Sequence, residues 1–181
     1  MIRTQIRVEK IYKEIEKAGC VASAVLAKRL RIGRNELFYV LRRLRQEGRV
    51  ETVSLGRTFL WCRSRAAAEE VLARLEETLK RVLRGHKFAT PQKVLDLIAK
   101  DPEARRLFSR HMPLRPNSAT IQIIDALMLR AFGEPIKTSR NRVYLIQRIT
   151  SSTYAAPYWD IARNATSKTS FGASREPQPK S

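Results

Sequence analysis

The chain has 181 residues, 43% of them hydrophobic, and carries 36 Lys and Arg against 17 Asp and Glu, a net charge of +19. That length suits one ordinary domain or two small ones, and the charge calls for a polyanionic partner, of which DNA or RNA is the commonest. The sequence has no apolar run of the ~18 residues that a membrane span needs, and it opens into charged helix rather than a secretory apolar core, so a cytoplasmic location is expected, nucleoid-associated if prokaryotic.

In chain order, residues 3–18 predict a helix with Val8, Ile11, Tyr12 and Ile15 as its apolar stripe, closed by Gly19. Cys20-Val21-Ala22 reads as a short strand. Ser23 is the expected N-cap of a second helix, with Val25, Leu26 and Leu30 on one face. Arg31-Ile32-Gly33 is a tight break in which Gly33 is free to take an unusual backbone conformation. A third helix follows, with Leu37, Val40, Leu41 and Leu44 at i, i+3, i+4 and i+7, and Gly48 stops it. Two β-rich runs, 49–55 and 58–61, are joined by Gly56-Arg57.

This order resembles the winged helix-turn-helix family. The resemblance rests on Leu26-Ala27-x-x-Leu30-x-Ile32, on Arg34, on Leu37-x-x-Val40-Leu41-x-x-Leu44, and on Gly48 with the hairpin after it. It implies that the third helix lies in the DNA major groove and that the hairpin, or wing, reaches an adjacent groove or phosphates. The outward residues would then be Arg34, Asn35, Phe38, Tyr39, Arg42 and Arg43, with Lys28 and Arg31 before them and Arg57 on the wing tip. Arg and Asn are the side chains that make paired hydrogen bonds to guanine and adenine edges. Between Lys28 and Arg49 there are eight cations against two acids, Glu36 and Glu47, whereas a merely solvated helix face mixes its signs. The resemblance also implies that the short strand pairs with the outer wing strand, which would set Cys20 beside Cys62. Intracellular disulfides are rare, so two small buried thiols are the expectation; the abundance of Arg leaves open a hyperthermophilic source, where such bonds are less rare.

Residues 64–84 are rich in Ala, Leu, Glu and Arg and predict a long helix. Ala68, Leu72, Leu75, Leu79 and Val82 recur at heptad spacing. Leu72, Leu75, Leu79 and Val82 are therefore the candidate seam of a homodimer, the competing placement being inside the second half of the same chain. Residues 86–149 repeat the grammar of the first half loosely. Thr90-Pro91 opens a helix, Asp101-Pro102 stops it and starts another, Asn117 or Ser118 caps a third, and 136–138 with 143–146 predict a hairpin. The third of these helices carries only Arg130 against Asp125, so phosphate contact through the hairpin, by Arg140 and Arg142, is the expectation there rather than base reading.

The expected fold is mainly α with small β-hairpin wings: tandem winged helix-turn-helix domains at 1–63 and 86–149, joined by a helix at 64–85. A mostly disordered tail at 150–181, containing Tyr154, Tyr158, Trp159 and Phe171, completes it. The two cysteines lack CxxC spacing and His86 and His111 stand apart, so neither a zinc site nor any cofactor is expected, and each His is expected at the surface or at a cap. No nucleophile elbow, phosphate loop or acidic metal cluster points to catalysis. The expected function is duplex DNA binding, as a sequence-specific transcriptional regulator, with RNA an alternative ligand. The rivals are a structural nucleic-acid protein that reads no sequence and a protein-interaction module of transcription or replication machinery.

Overall fold

The computed structural model describes residues 2–137 and 142–147. Helix α1 (Ile2–Ala18) buries Val8, Ile11 and Ile15 along one stripe. The chain continues through β1 (Cys20–Ala22), α2 (Ser23–Leu30), α3 (Arg34–Gln46) and a hairpin of β2 (Glu51–Leu55) and β3 (Thr58–Cys62). The three strands form an antiparallel sheet in the order β1-β3-β2, with Cys20 opposite Cys62 and Val53 opposite Leu60. α3 buries Leu37, Val40, Leu41 and Leu44, as the i, i+3, i+4, i+7 pattern requires.

Two local expectations are corrected. Ser23 is the first helical residue rather than the N-cap, and its Oγ accepts the indole N–H of Trp61 at 2.9 Å, tying α2 to β3. The unusual backbone of the turn belongs to Arg31, at φ 53°, while Gly33 is ordinary extended chain at φ −63°. Arg31 closes α2 in the left-handed conformation that ends many helices, a place where glycine is the commoner choice.

The second half runs α4 (Arg65–Val82), β4 (Phe88–Ala89), α5 (Pro91–Lys100), α6 (Pro102–His111), α7 (Ser118–Phe132), β5 (Ile136–Lys137) and β6 (Arg142–Leu145). Its helices start where the caps predict: Thr90, Asp101 and Asn117 accept from backbone N–H groups at 3.3, 2.8 and 2.9 Å, and Pro91 and Pro102 each follow a cap. The sheet order is β4-β6-β5, the same as in the first half. β4 escaped the sequence reading because two residues display no alternation. Arg140 and the tail aromatics Tyr154, Tyr158, Trp159 and Phe171 lie outside the described residues.

The chain is mainly helical with small antiparallel sheets, and the two halves share one core rather than forming separate lobes. The first sheet explains why. Neighbouring residues on a strand point to opposite faces, yet Cys20, Val21 and Ala22 are all buried, as are Leu60, Trp61 and Cys62. Both faces are therefore covered, by α1 and α2 from the first half and by α4, α6 and α7 from the second. The helix expected as a linker is part of this core. Ala68, Leu72, Leu75 and Leu79 are buried within the chain itself, where α4 packs on α5, α6 and α7, and Val82 is half-buried. The seam that a symmetric dimer would need is thus used internally, which corrects the dimerisation assignment of Leu72, Leu75, Leu79 and Val82.

Cys20 and Cys62 form a disulfide, against the expectation of two free thiols. The antiparallel register sets them opposite each other, so closure needs no displacement of the sheet. His111 is likewise neither at the surface nor a cap. It is buried, and its Nδ1 lies 2.7 Å from the Cys20 carbonyl, joining α6 to β1. Because the partner is a carbonyl, Nδ1 carries the proton and donates.

Candidate nucleic-acid interface

The buried stripe of α3 leaves its opposite face in solvent. Arg34, Asn35, Phe38, Tyr39 and Arg42 are all exposed there, with Tyr39 at 68% and Phe38 at 46% of full exposure. Lys28 on α2 and Arg31 in the turn are exposed beside the start of α3, and Arg57 is exposed on the wing. No side chain caps the N-terminus of α3, so its first N–H groups remain open to an anion.

Both acids of this stretch are engaged. Glu36 pairs with Arg7 of α1, and Glu47 accepts from Arg43 at 2.8 Å within α3. Arg29 and Arg49 are in turn paired with Glu14 and Glu9 of α1, so five of the eight cations between Lys28 and Arg49 keep no acidic partner among the described residues. Among the described residues, Lys28, Arg31, Arg34, Arg42, Arg45 and Arg57 have no carboxylate within ion-pair distance. Arg43 differs from the expectation. Its guanidinium is committed to Glu47, and that hydrogen bond holds its pKa above the ordinary arginine value.

The wing is braced at both ends. At the base, Arg49 donates to both carboxylate oxygens of Glu9 at 2.8 and 3.2 Å and lies 4.1 Å from the Tyr12 ring centroid, fixing the hairpin to α1. This hydrogen bond holds the Glu9 carboxyl below the usual range. At the tip, Gly56 has φ 62°, and a Cβ there would meet the Gln122 carbonyl oxygen of α7 at 3.0 Å. The wing turn is thus pressed against the second half, and only glycine serves there.

Between α2, α3, the wing and α7 lies a largely apolar groove of about 430 Å³. Phe38 and Phe59 line it with Leu37 and Ile123, and Arg34 and Arg57 also contribute. Phe59, at 52% exposure, escaped the sequence reading because a strand aromatic is usually core. The surface thus combines cations, an Asn and exposed aromatics on one helix and one hairpin, a set suited to phosphates, base edges and base faces.

The second half does not duplicate this surface. α7 is packed against α4, α5 and both hairpins, with Ile123, Ile124, Leu127 and Met128 buried. Arg142, expected to contact phosphate, donates to Asp125 at 2.6 Å, and Asp125 also accepts the Tyr144 hydroxyl at 2.7 Å. This pair ties β6 to α7. Burial raises the Tyr144 pKa first, and the hydrogen bond to Asp125 raises it further. Among the described residues no group of three or more His, Cys, Asp or Glu is placed to hold a metal ion, and no helix is long and apolar enough to cross a membrane.

Residues 70–145 match the family described as "PSV, transcriptional regulator domain". The whole fold is similar to the crystal structure of the hypothetical protein PyrSV_gp04 from Pyrobaculum spherical virus. The TM-score is 0.78 and the identity 26%, over 81% of this chain and 97% of that one. No curated protein matches. The two similarities support a transcription-regulator-like fold. They do not single out α3, which lies wholly before the segment matched by the family.

Proposed function

We propose that the protein binds duplex DNA without catalysis, as a sequence-specific transcriptional regulator of winged helix-turn-helix type. The observation that carries this reading is the outer face of α3. Arg34, Asn35, Tyr39 and Arg42 stand exposed with the local acids already paired, beside a wing held in place by α1 and α7. In this reading α3 enters the major groove and Arg57 on the wing meets phosphate. The repeated strand order is compatible with a second winged unit in this reading, one whose α7 buries its apolar residues instead of presenting a charged face. The family match at 70–145 supports a regulatory role.

Selection of bound sequences from a random duplex pool, joined to a salt titration, tests the proposal. A defined consensus is expected. Neutralising ~6 phosphates gives a slope of about −5 in log K against log salt. Binding with no consensus would replace the regulator with a structural nucleic-acid protein, and a slope near zero would sink the electrostatic account altogether.

A further inference from the structure

A second concentration of positive charge lies away from the α3 surface, where α4 and α6 run side by side over a cleft of about 790 Å³. Arg74 and Arg81 of α4 lie two turns apart on one face, Arg84 follows in the turn just past the helix, and Arg106 and Arg110 of α6 face them from positions one turn apart. Arg81 is neutralised by Asp101 at 2.9 Å and Glu103 at 3.4 Å. Arg74, Lys80, Arg84, Arg106 and Arg110 have no carboxylate within ion-pair distance among the described residues. Glu77 and Glu103 also line the cleft, but six Lys and Arg outnumber them there, and a bound polyanion relieves the repulsion among the excess cations.

The cleft is also continuous with the first half. Arg29 of α2 donates to the Arg110 carbonyl at 3.2 Å, and α2 leads through a short turn to Arg34. Arg29, Arg74 and Arg110 all act electrostatically on His111 at this junction. The cleft and the start of α3 thus approach each other across α2, where Arg29 also pairs with Glu14 at 3.7 Å. Arg74 to Arg81 alone spans roughly 10 Å of helix, a length over which one strand of a duplex carries about three phosphates.

We infer that the α4–α6 cleft is a second nucleic-acid contact, holding the sugar-phosphate backbone of duplex DNA outside the stretch that α3 reads. This rests on the proposed function and deepens it: contact in the cleft adds affinity that is blind to sequence.

The test is a triple variant, Arg74→Gln, Arg84→Gln and Arg106→Gln, all at exposed positions, with its fold checked by thermal melting. It is compared with the unaltered protein and with Arg34→Ala on the selected duplex and on a scrambled one. The cleft variant is expected to reduce the magnitude of the salt slope by about 2–3 and to weaken both duplexes by the same factor, at least tenfold at moderate salt. Acetylation of Lys80 gives an independent readout in the unaltered protein and is expected to slow several-fold when duplex is bound. An unchanged slope with unchanged Lys80 reactivity, while Arg34→Ala still weakens binding, overturns the cleft and leaves the α3 reading standing. Failure of the unaltered protein to bind any duplex overturns both.

Discussion

Arg34 and Arg57 line the same groove but are held differently. Arg34 sits on the first turn of a packed helix and Arg57 on a two-residue turn, so the first is positioned to discriminate bases and the second to meet a uniform backbone. Arg34→Ala is expected to cost about 1–3 kcal/mol of binding and to relax base preference, while Arg57→Ala weakens all sequences alike. Competition binding against single-base variants of the selected site separates the two. If Arg34→Ala scales every site by one factor, α3 does not read bases. A different residue governs the pH response. Burial lowers the His111 pKa below the ordinary imidazole value, the hydrogen bond to Cys20 opposes that shift, and Arg74, Arg110 and Arg29 add to it. The unfolded chain therefore takes up the proton first as pH falls. The stabilisation is complete above about pH 6.5 and is lost as pH falls from there towards the lower folded value. The carboxylates held low by their Arg partners, Glu9 and Asp101, act in the same direction but only in the carboxylate range, about 4.5 and below. Melting between pH 7.5 and 5.5 is expected to show a declining midpoint for the native chain and a flatter one for His111→Gln. Parallel curves for the two proteins would count against His111 as the sensor.

At the scale of elements, the first sheet is where covalent and non-covalent restraints converge. The Cys20–Cys62 bond closes a sequence separation of 42 residues around α2, α3 and the wing. The chain-entropy account assigns such a loop about 4 kcal/mol, an upper figure when the reduced chain keeps some structure. Those residues include the whole α3 surface, so the bond holds together the element that the proposed function needs. Denaturant unfolding with and without reductant checks this. A loss of roughly 2–4 kcal/mol on reduction is expected, and Cys20→Ala with Cys62→Ala should reproduce it without reductant. Equal stability of oxidised and reduced protein would show that packing alone holds the sheet.

For the whole molecule, the decisive feature is that α4 and α7 cover the first sheet. α4 is central because Leu75 and Leu79 are wholly buried on a helix that packs on β1 and β3 of the first half and on α5, α6 and α7 of the second. Leu75→Ala is expected to lower unfolding stability by about 2–5 kcal/mol, through lost burial and the cavity left behind. It should leave the native mass in solution unchanged, because the seam faces the chain's own core. Light scattering at micromolar concentration, run beside the denaturant series, reads both. A native mass that falls to half in the variant would restore the seam as a subunit interface. A shared core also predicts one unfolding transition for the described part of the chain, since neither half can bury its sheet alone.

Much of the chain was legible without the fold. Helix periodicity, the cap residues Thr90, Asp101 and Asn117, the stop at Gly48 and the Gly56-Arg57 turn are local signals, and local sterics and hydrogen bonding decide them. The exposed face of α3 followed from the same periodicity, since the residues left over by Leu37, Val40, Leu41 and Leu44 must face outward. Tertiary structure decided what depends on partners distant in sequence. Heptad spacing in α4 shows that an apolar stripe exists, but the same stripe fits a second copy or the chain's own helices; packing chose the latter. The charge of Arg142 is visible in the sequence, whereas its pairing with Asp125 on another element depends on the fold; the Arg43–Glu47 pair, by contrast, is a local i,i+4 contact. The disulfide, the buried His111 and the basic cleft between α4 and α6 are likewise products of long-range contacts. The physical reason is common to all of them. Hydrophobic periodicity states which face of an element leaves water, and only the folded chain states what that face meets.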